Sequence, residues 1–160
     1  MKFIETHSKG IFVAIATLFS FAAAVVTHRH GLVTSYNDSM SHLNIARLVV
    51  DNIEPNIAQL GSVWLPLNHV LSLLLIWNDW AWQSGFAGAF ISMGAFIISA
   101  WAIYVTVELV TSDKKAAFVG GLAFVLNVNM LYLQATPLTE PLYVCLFILS
   151  VLYFTKWVKS

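Results

Sequence analysis

Charge is what this chain has least of: lysine, arginine, aspartate and glutamate together make up 10% of its 160 residues, against 59% hydrophobic side chains. A soluble domain carries about 25% charge, and one of this size has no interior large enough for so much apolar side chain, so the soluble class is excluded. Basic residues are few and scattered, which rules out a nucleic-acid-binding surface. The single cysteine, Cys145, excludes an intrachain disulfide and a cysteine metal site, and its apolar surroundings point to packing. Internal repeats and low-complexity linkers are missing too, so residues 1–160 read as one module.

What the chain does have is long uncharged runs with its lysines between them. Spans are expected at about 10–27, 82–108, 116–133 and 140–157, each close to the roughly 20 residues that cross a bilayer. The last is short, and Lys156 and Lys159 extend it by snorkelling. Four crossings put Lys2, Lys9, Lys114, Lys115, Lys156 and Lys159 on one side, which the positive-inside rule makes the cytoplasm, with both termini there. A fifth span at Pro66–Trp77 would divide the lysines between two sides, so that segment is expected in the outer interface. Lys2 and Lys9 before an apolar run with Ala22-Ala23-Ala24 also resemble a signal peptide, but the run is long and its exit basic. The expectation is a retained first span.

The outer loop, 28–81, is expected to hold interface helices at about 39–53 and 65–78, with Trp64, Trp77, Trp80 and Trp82 as an aromatic belt. In the first, Leu43, Ala46, Val49, Val50 and Ile53 follow helical spacing, opposite His42, Asn44, Arg47 and Asp51. Asp38 or Ser39 is placed to cap its start and Pro55 to end it. In the second span, Gly85, Gly88, Ser92, Ala95 and Ser99 make a small-residue seam for a neighbouring helix, and Gly120-Gly121 is expected to do the same in the third. Asn127 and Asn129 are expensive in lipid, so at least one is expected to face the bundle.

Two carboxylates stand out because this topology puts both at the outer face: Asp38 after an outward span and Glu140 before an inward one. Each also has an ordinary explanation. Asp38 can cap a helix, and Glu140, between Thr139 as cap and Pro141, can be a favourable first turn. A carboxylate at a helix start suits a general base or a metal ligand, not a proton donor. His42 lies one turn after Asp38, within reach of a hydrogen bond, while His28, Arg29 and His30 stand at the headgroup level.

Three segments carry a resemblance: Tyr36-Asn37-Asp38-Ser39-Met40-Ser41-His42-Leu43-Asn44-Ile45-Ala46-Arg47, Gly61-Ser62-Val63-Trp64-Leu65-Pro66-Leu67, and Thr136-Pro137-Leu138-Thr139-Glu140-Pro141-Leu142. Together, in this order, the chain resembles the N-terminal part of the GT-C membrane glycosyltransferases, nearest the protein O-mannosyltransferases and aminoarabinose transferases. The resemblance implies an all-α integral membrane fold, and inverting sugar transfer from a polyprenyl-phosphate carrier to an acceptor on the non-cytoplasmic side. It implies Asp38 as the base for the acceptor and Glu140 as its partner, which positions the acceptor or helps hold a divalent cation that some members use and others lack. Asn37, His42, Arg29 and Arg47 complete the expected substrate-binding set. Relatives carry an acidic or basic residue before the second interface proline, where this chain has Ser62-Val63-Trp64-Leu65. Full-length members add further helices, so a second polypeptide or a homo-oligomer is expected to complete the carrier site in a multi-pass protein of the plasma membrane.

Two rival functions remain. A non-catalytic subunit would keep the fold as an assembly surface along the small-residue seam. A transporter component would carry charge or proline in mid-span, and none of the four spans does.

Overall fold

The computed structural model describes residues 2–60 and 63–160, with side chains from residue 7 onward. Gly61 and Ser62, which open the second resembling segment, lie outside the described residues. Regular structure among those residues is entirely helical: α1 (Lys2–Arg29), α2 (Asn37–Arg47), a 3-10 turn (Ile57–Leu60), α3 (Leu67–Ser72), α4 (Asp79–Gln83), α5 (Phe86–Thr111), α6 (Lys114–Val125), α7 (Val128–Leu133) and α8 (Glu140–Lys159). Three stretches are long and apolar enough to cross a membrane, His7–Arg29 within α1, then α5 and α8.

α1 and α5 run antiparallel. At one end Phe12 packs on Tyr104 with ring centroids 5.2 Å apart, and Lys9 pairs with Glu108 at 3.4 Å. At the other, Val33 and Thr34 close on Gly85. α8 lies along α5: Lys159 Nζ donates to the Leu109 carbonyl at the first end, and Ser92 Oγ donates to the Leu138 carbonyl (3.1 Å) at the second. α6 and α7 return the chain between these ends, with Gly121 against the Phe12 ring and Tyr132 Oη donating to the Leu32 carbonyl at 3.2 Å. All lysines from Lys9 onward therefore gather at one end, and Asp38, Asp79 and Glu140 at the other. The core between the ends is built on Phe12, Phe96, Tyr104, Val125 and Leu152, all fully buried.

Small residues set the closeness of α5 to its neighbours. Gly88 lies so near Pro137 that an added Cβ would sit 2.4 Å from that ring's own Cβ, and the rest of the seam, Gly85, Ser92, Ala95 and Ser99, is buried as expected. Gly85 is also where the uncharged run starting at Trp80 divides: its φ of +79° suits glycine and separates α4 from α5, so the expected span at 82–108 begins only at Phe86 and extends to Thr111. α1 ends on a Schellman motif, with Gly31 at φ +67°, its N–H on the His28 carbonyl and the Leu32 N–H on that of Thr27 (both 3.0 Å).

The expected third span at 116–133 is two helices. Asn127, with extended φ/ψ, accepts the Met130 N–H at 3.1 Å and starts a new helix where the old one would have continued. α6 alone, at 12 residues, is about 18 Å long, short of the roughly 30 Å hydrocarbon core. Asn127 and Asn129 are both exposed, so neither faces the bundle. That role falls to fully buried Gln134, which accepts from Ser20 Oγ at 2.7 Å and donates to the Ser20 carbonyl at 3.1 Å.

The helices of the loop are shorter than their apolar spacing suggested. α2 stops at Arg47 instead of running to residue 53, because most of its later apolar residues face outward: Leu48 and Val50 are exposed and Ile53 is 97% exposed. The segment 65–78 is helical only over α3, then turns until the Asn78 side chain accepts the Ala81 N–H (3.0 Å) and caps α4. Buried Leu43, Ala46, Ile76, Ala81 and Ala87 hold α2, α3 and α4 as a cap over the start of α5.

Candidate functional site

α2 buries Ser39, His42, Leu43 and Ala46, the i, i+3, i+4, i+7 stripe of one helical face, and thereby keeps Asn37, Asp38 and Asn44 on the exposed side. α3 buries Asn68, His69 and Ser72 by the same logic. The two stripes meet through a pair of imidazoles: His42 Nδ1 and His69 Nε2 lie 2.8 Å apart and share one proton. Trp64 packs on His42 with ring centroids 4.8 Å apart. His69 Nδ1, Asn68 Oδ1 and Ser39 Oγ are buried without a hydrogen-bond partner among the described residues.

Glu140 reaches this place by a separate route. Gly88 against Pro137 and Ser92 on the Leu138 carbonyl fix the turn before α8, Asn68 Nδ2 donates to the Pro137 carbonyl at 3.4 Å, and Pro141 starts the helix in the second position. An open groove of about 480 Å³ results, walled by Trp64, Leu67, Asn68, Glu140, Leu142 and Tyr143. Glu140 is its only charged group among the described residues. Asp38 lies outside the groove wall, on the exposed face of α2.

Both carboxylates are nevertheless felt at one atom group. Burial lowers the pKa of His42, while the fields of Asp38 and Glu140 each push it back up. Burial lowers His69 as well, and the charge of protonated His42 lowers it further. A single proton entering the pair therefore settles on His42, which both acids favour in its charged form. The expected His42–Asp38 hydrogen bond is replaced by that to His69, and Asp38 acts on His42 through space. Neither Asp38 nor Ser39 caps α2, whose N-cap position is Tyr36 with no side-chain bond, and Thr139 likewise makes no capping bond to α8. Both carboxylates do stand in the first turn of their helices, Asp38 in α2 and Glu140 before Pro141 in α8, where the helix dipole favours them, so the ordinary explanation holds for their positions and fails only for a capping bond.

The expected substrate-binding residues fall in different places. Asn37 opens α2, its carbonyl accepting from Ser41 Oγ at 3.1 Å. Arg47 is committed to the scaffold: its guanidinium donates to Asp51 (3.0 and 2.8 Å), Asp79 (2.6 Å) and the Ile76 carbonyl (2.9 Å), and lies over Trp82. That leaves little of its donor set for a substrate. Arg29 ends α1 and borders a second, smaller groove. Sequence reasoning missed His69 and Asn68, although a polar doublet inside an uncharged stretch, with Ser72 one turn later, is the signature of a buried polar stripe.

Among the described residues no three His, Cys, Asp or Glu side chains are grouped to hold a metal. No known protein family, curated protein or solved structure matches the chain.

Proposed function

We propose that this chain is a membrane glycosyltransferase module of the GT-C kind, moving a sugar from a polyprenyl-phosphate carrier to an acceptor on the non-cytoplasmic face. The convergence of Asp38 and Glu140, remote in sequence, on the field at His42 carries this reading. The clustering of the lysines at the opposite end of the bundle supports it, since that end would face the cytoplasm. In this reading α6 and α7 together make a fourth, broken crossing, and α2, α3 and α4 lie in the outer interface.

The chemistry needs one base and good alignment. Asp38 takes the proton of the acceptor hydroxyl as its oxygen attacks the anomeric carbon. The bond from that carbon to the carrier phosphate breaks on the opposite face, its electron pair leaves with the phosphate, and configuration inverts. Phosphate is a good leaving group, so position and charge compensation supply most of the rate. Glu140 accepts hydrogen bonds from hydroxyls in the groove, and Trp64 offers a flat apolar wall beside it. No step is routed through a metal. A second polypeptide or second copy completes the carrier site, for which the exposed face of α8, with Tyr143, Phe147 and Phe154, is open.

Membranes holding the wild type are expected to transfer label from radiolabelled polyprenyl-phosphate sugars, with Asp38→Asn reduced by a factor of at least about 100 and Glu140→Gln by at least about 10. Undiminished transfer in both variants would reject their roles. If output in cells is also unchanged, the chain is a non-catalytic membrane subunit, which the same open face of α8 would serve.

A further inference from the structure

The contact between His42 and His69, at 2.8 Å, is the only side-chain hydrogen bond joining α2 to α3 among the described residues. Both rings are buried, that of His69 completely. The same two buried stripes carry His69 Nδ1, Asn68 Oδ1 and Ser39 Oγ, which have no hydrogen-bond partner among the described residues. Polar atoms shut away unpaired favour any arrangement in which water reaches them, so this seam stays closed against a standing cost. One atom of the pair has access already. His42 Nε2 makes no hydrogen bond, yet it is not among the buried unpartnered atoms, so a proton can enter there from water.

We infer that the two imidazoles form a proton-operated latch, which holds α3 and Trp64 against α2 at the wall of the Glu140 groove while neutral and lets them go when acid charges both rings. In the neutral pair one ring donates its N–H to the bare nitrogen of the other. A first added proton settles on His42, whose Nδ1 must then donate. His69 accepts at Nε2 and keeps its own proton on Nδ1, a buried position with no acceptor. A second proton puts N–H against N–H and charge against charge, and the bond is gone. The opening reaches the groove because Trp64, packed on the His42 ring with centroids 4.8 Å apart, is also one of its walls, as is Asn68 beside His69. The Asn68 bond to the Pro137 carbonyl is long, at 3.4 Å, and α3 is a single short helix of six residues, so it can shift without unfolding a span.

The charged groups around the pair set where the latch works. Asp38 on α2 and Glu140 on α8 draw the first proton onto His42, and burial of both rings opposes it. Asp51 and, from α4, Asp79 are occupied by Arg47. The 3-10 turn, residues 63–66 and the α5 residues from Phe86 to Ile103 carry no titratable side chain. With burial prevailing at both rings, the pair is neutral at neutral pH and opening belongs below the ordinary histidine value of about 6.5. The latch itself follows from the geometry of the seam; that it senses the non-cytoplasmic side rests on the topology proposed above.

The test is amide hydrogen–deuterium exchange of the purified full chain in detergent micelles between about pH 7.5 and pH 5, each rate divided by the intrinsic amide rate at that pH. Residues 64–72 are expected to lose protection about tenfold or more on acidification, while α5 keeps its own. In His42→Gln/His69→Gln that loss should vanish. Asp38→Asn and Glu140→Gln alter exposed residues and leave the seam intact, and each should move the onset to lower pH by removing a field that draws the proton in. Protection of residues 64–72 that ignores pH in the wild type, an equal loss throughout α5, or a loss that survives in the double histidine variant would each overturn the latch. If circular dichroism shows the double variant unfolded, the two carboxylate variants decide: an onset unmoved in both overturns it. A chain that opens in this way but transfers no sugar would instead overturn the catalytic reading and leave the latch standing.

Discussion

Two imidazoles buried against each other make a titrating unit whose sign can be worked out. Burial holds both His42 and His69 below the ordinary histidine value, so in the window below about pH 6.5 the unfolded chain binds more protons than the folded one. Their stabilising contribution is fully present above that value and falls away as pH drops through the lowered folded pKa. Each group accounts for up to about 1.4 kcal/mol per pH unit within its window. Thermal midpoints in detergent are expected to fall between pH 7 and 5, and the double substitution His42→Gln/His69→Gln to flatten that dependence. An unchanged slope in the double variant would mean that other groups govern it. At this scale the sequence showed Asp38, His42 and Glu140 but not their arrangement, because the partner of His42, His69, belongs to a segment whose only signal was a few polar residues in an apolar run.

The elements depend on close approach at a few positions. Gly88→Ala would push a methyl into Pro137, and the expected loss is about 1–3 kcal/mol, since the obstacle includes backbone as well as ring. Gly94, on the same helix, has nothing within 4 Å of where a Cβ would stand, so Gly94→Ala should be neutral or gain roughly 0.5–1 kcal/mol. Thermal unfolding in micelles separates the two, and equal effects would contradict the packing described for α5. The long helices and the small-residue seam were legible because both follow from uninterrupted apolar runs and helical spacing. Breaks at Gly85 and Asn127 were not, since either residue is tolerated inside a membrane helix and only the neighbours decide. The length of α2 was overread for a related reason: Val49, Val50 and Ile53 keep the period, but Val50 and Ile53 are exposed and Val49 is only half-buried.

For the whole molecule, the arrangement has a lysine end and an end that gathers α2, α3, α4, both grooves and the two carboxylates. Single cysteines placed at Lys115 and Asn56 in a Cys145→Ser background should react with a membrane-impermeant maleimide from opposite sides, Asn56 in intact cells and Lys115 only after lysis. Labelling of both from outside would break the four-crossing topology. The sequence carried this polarity in the spacing of its lysines. It could not carry the depth of the grooves, which arises from how Pro137, Gly85 and Gly88 let three chain segments meet.

The claim on which the functional account depends is that two distant carboxylates act on one histidine. Solution NMR of selectively labelled His42 in micelles measures it through the titration of that imidazole in the wild type, in Asp38→Asn and in Glu140→Gln. Each substitution removes a field that holds the proton on, so the pKa of His42 is expected to fall in both variants. A titration unmoved by either change would separate the two acids from a common site and contradict the account.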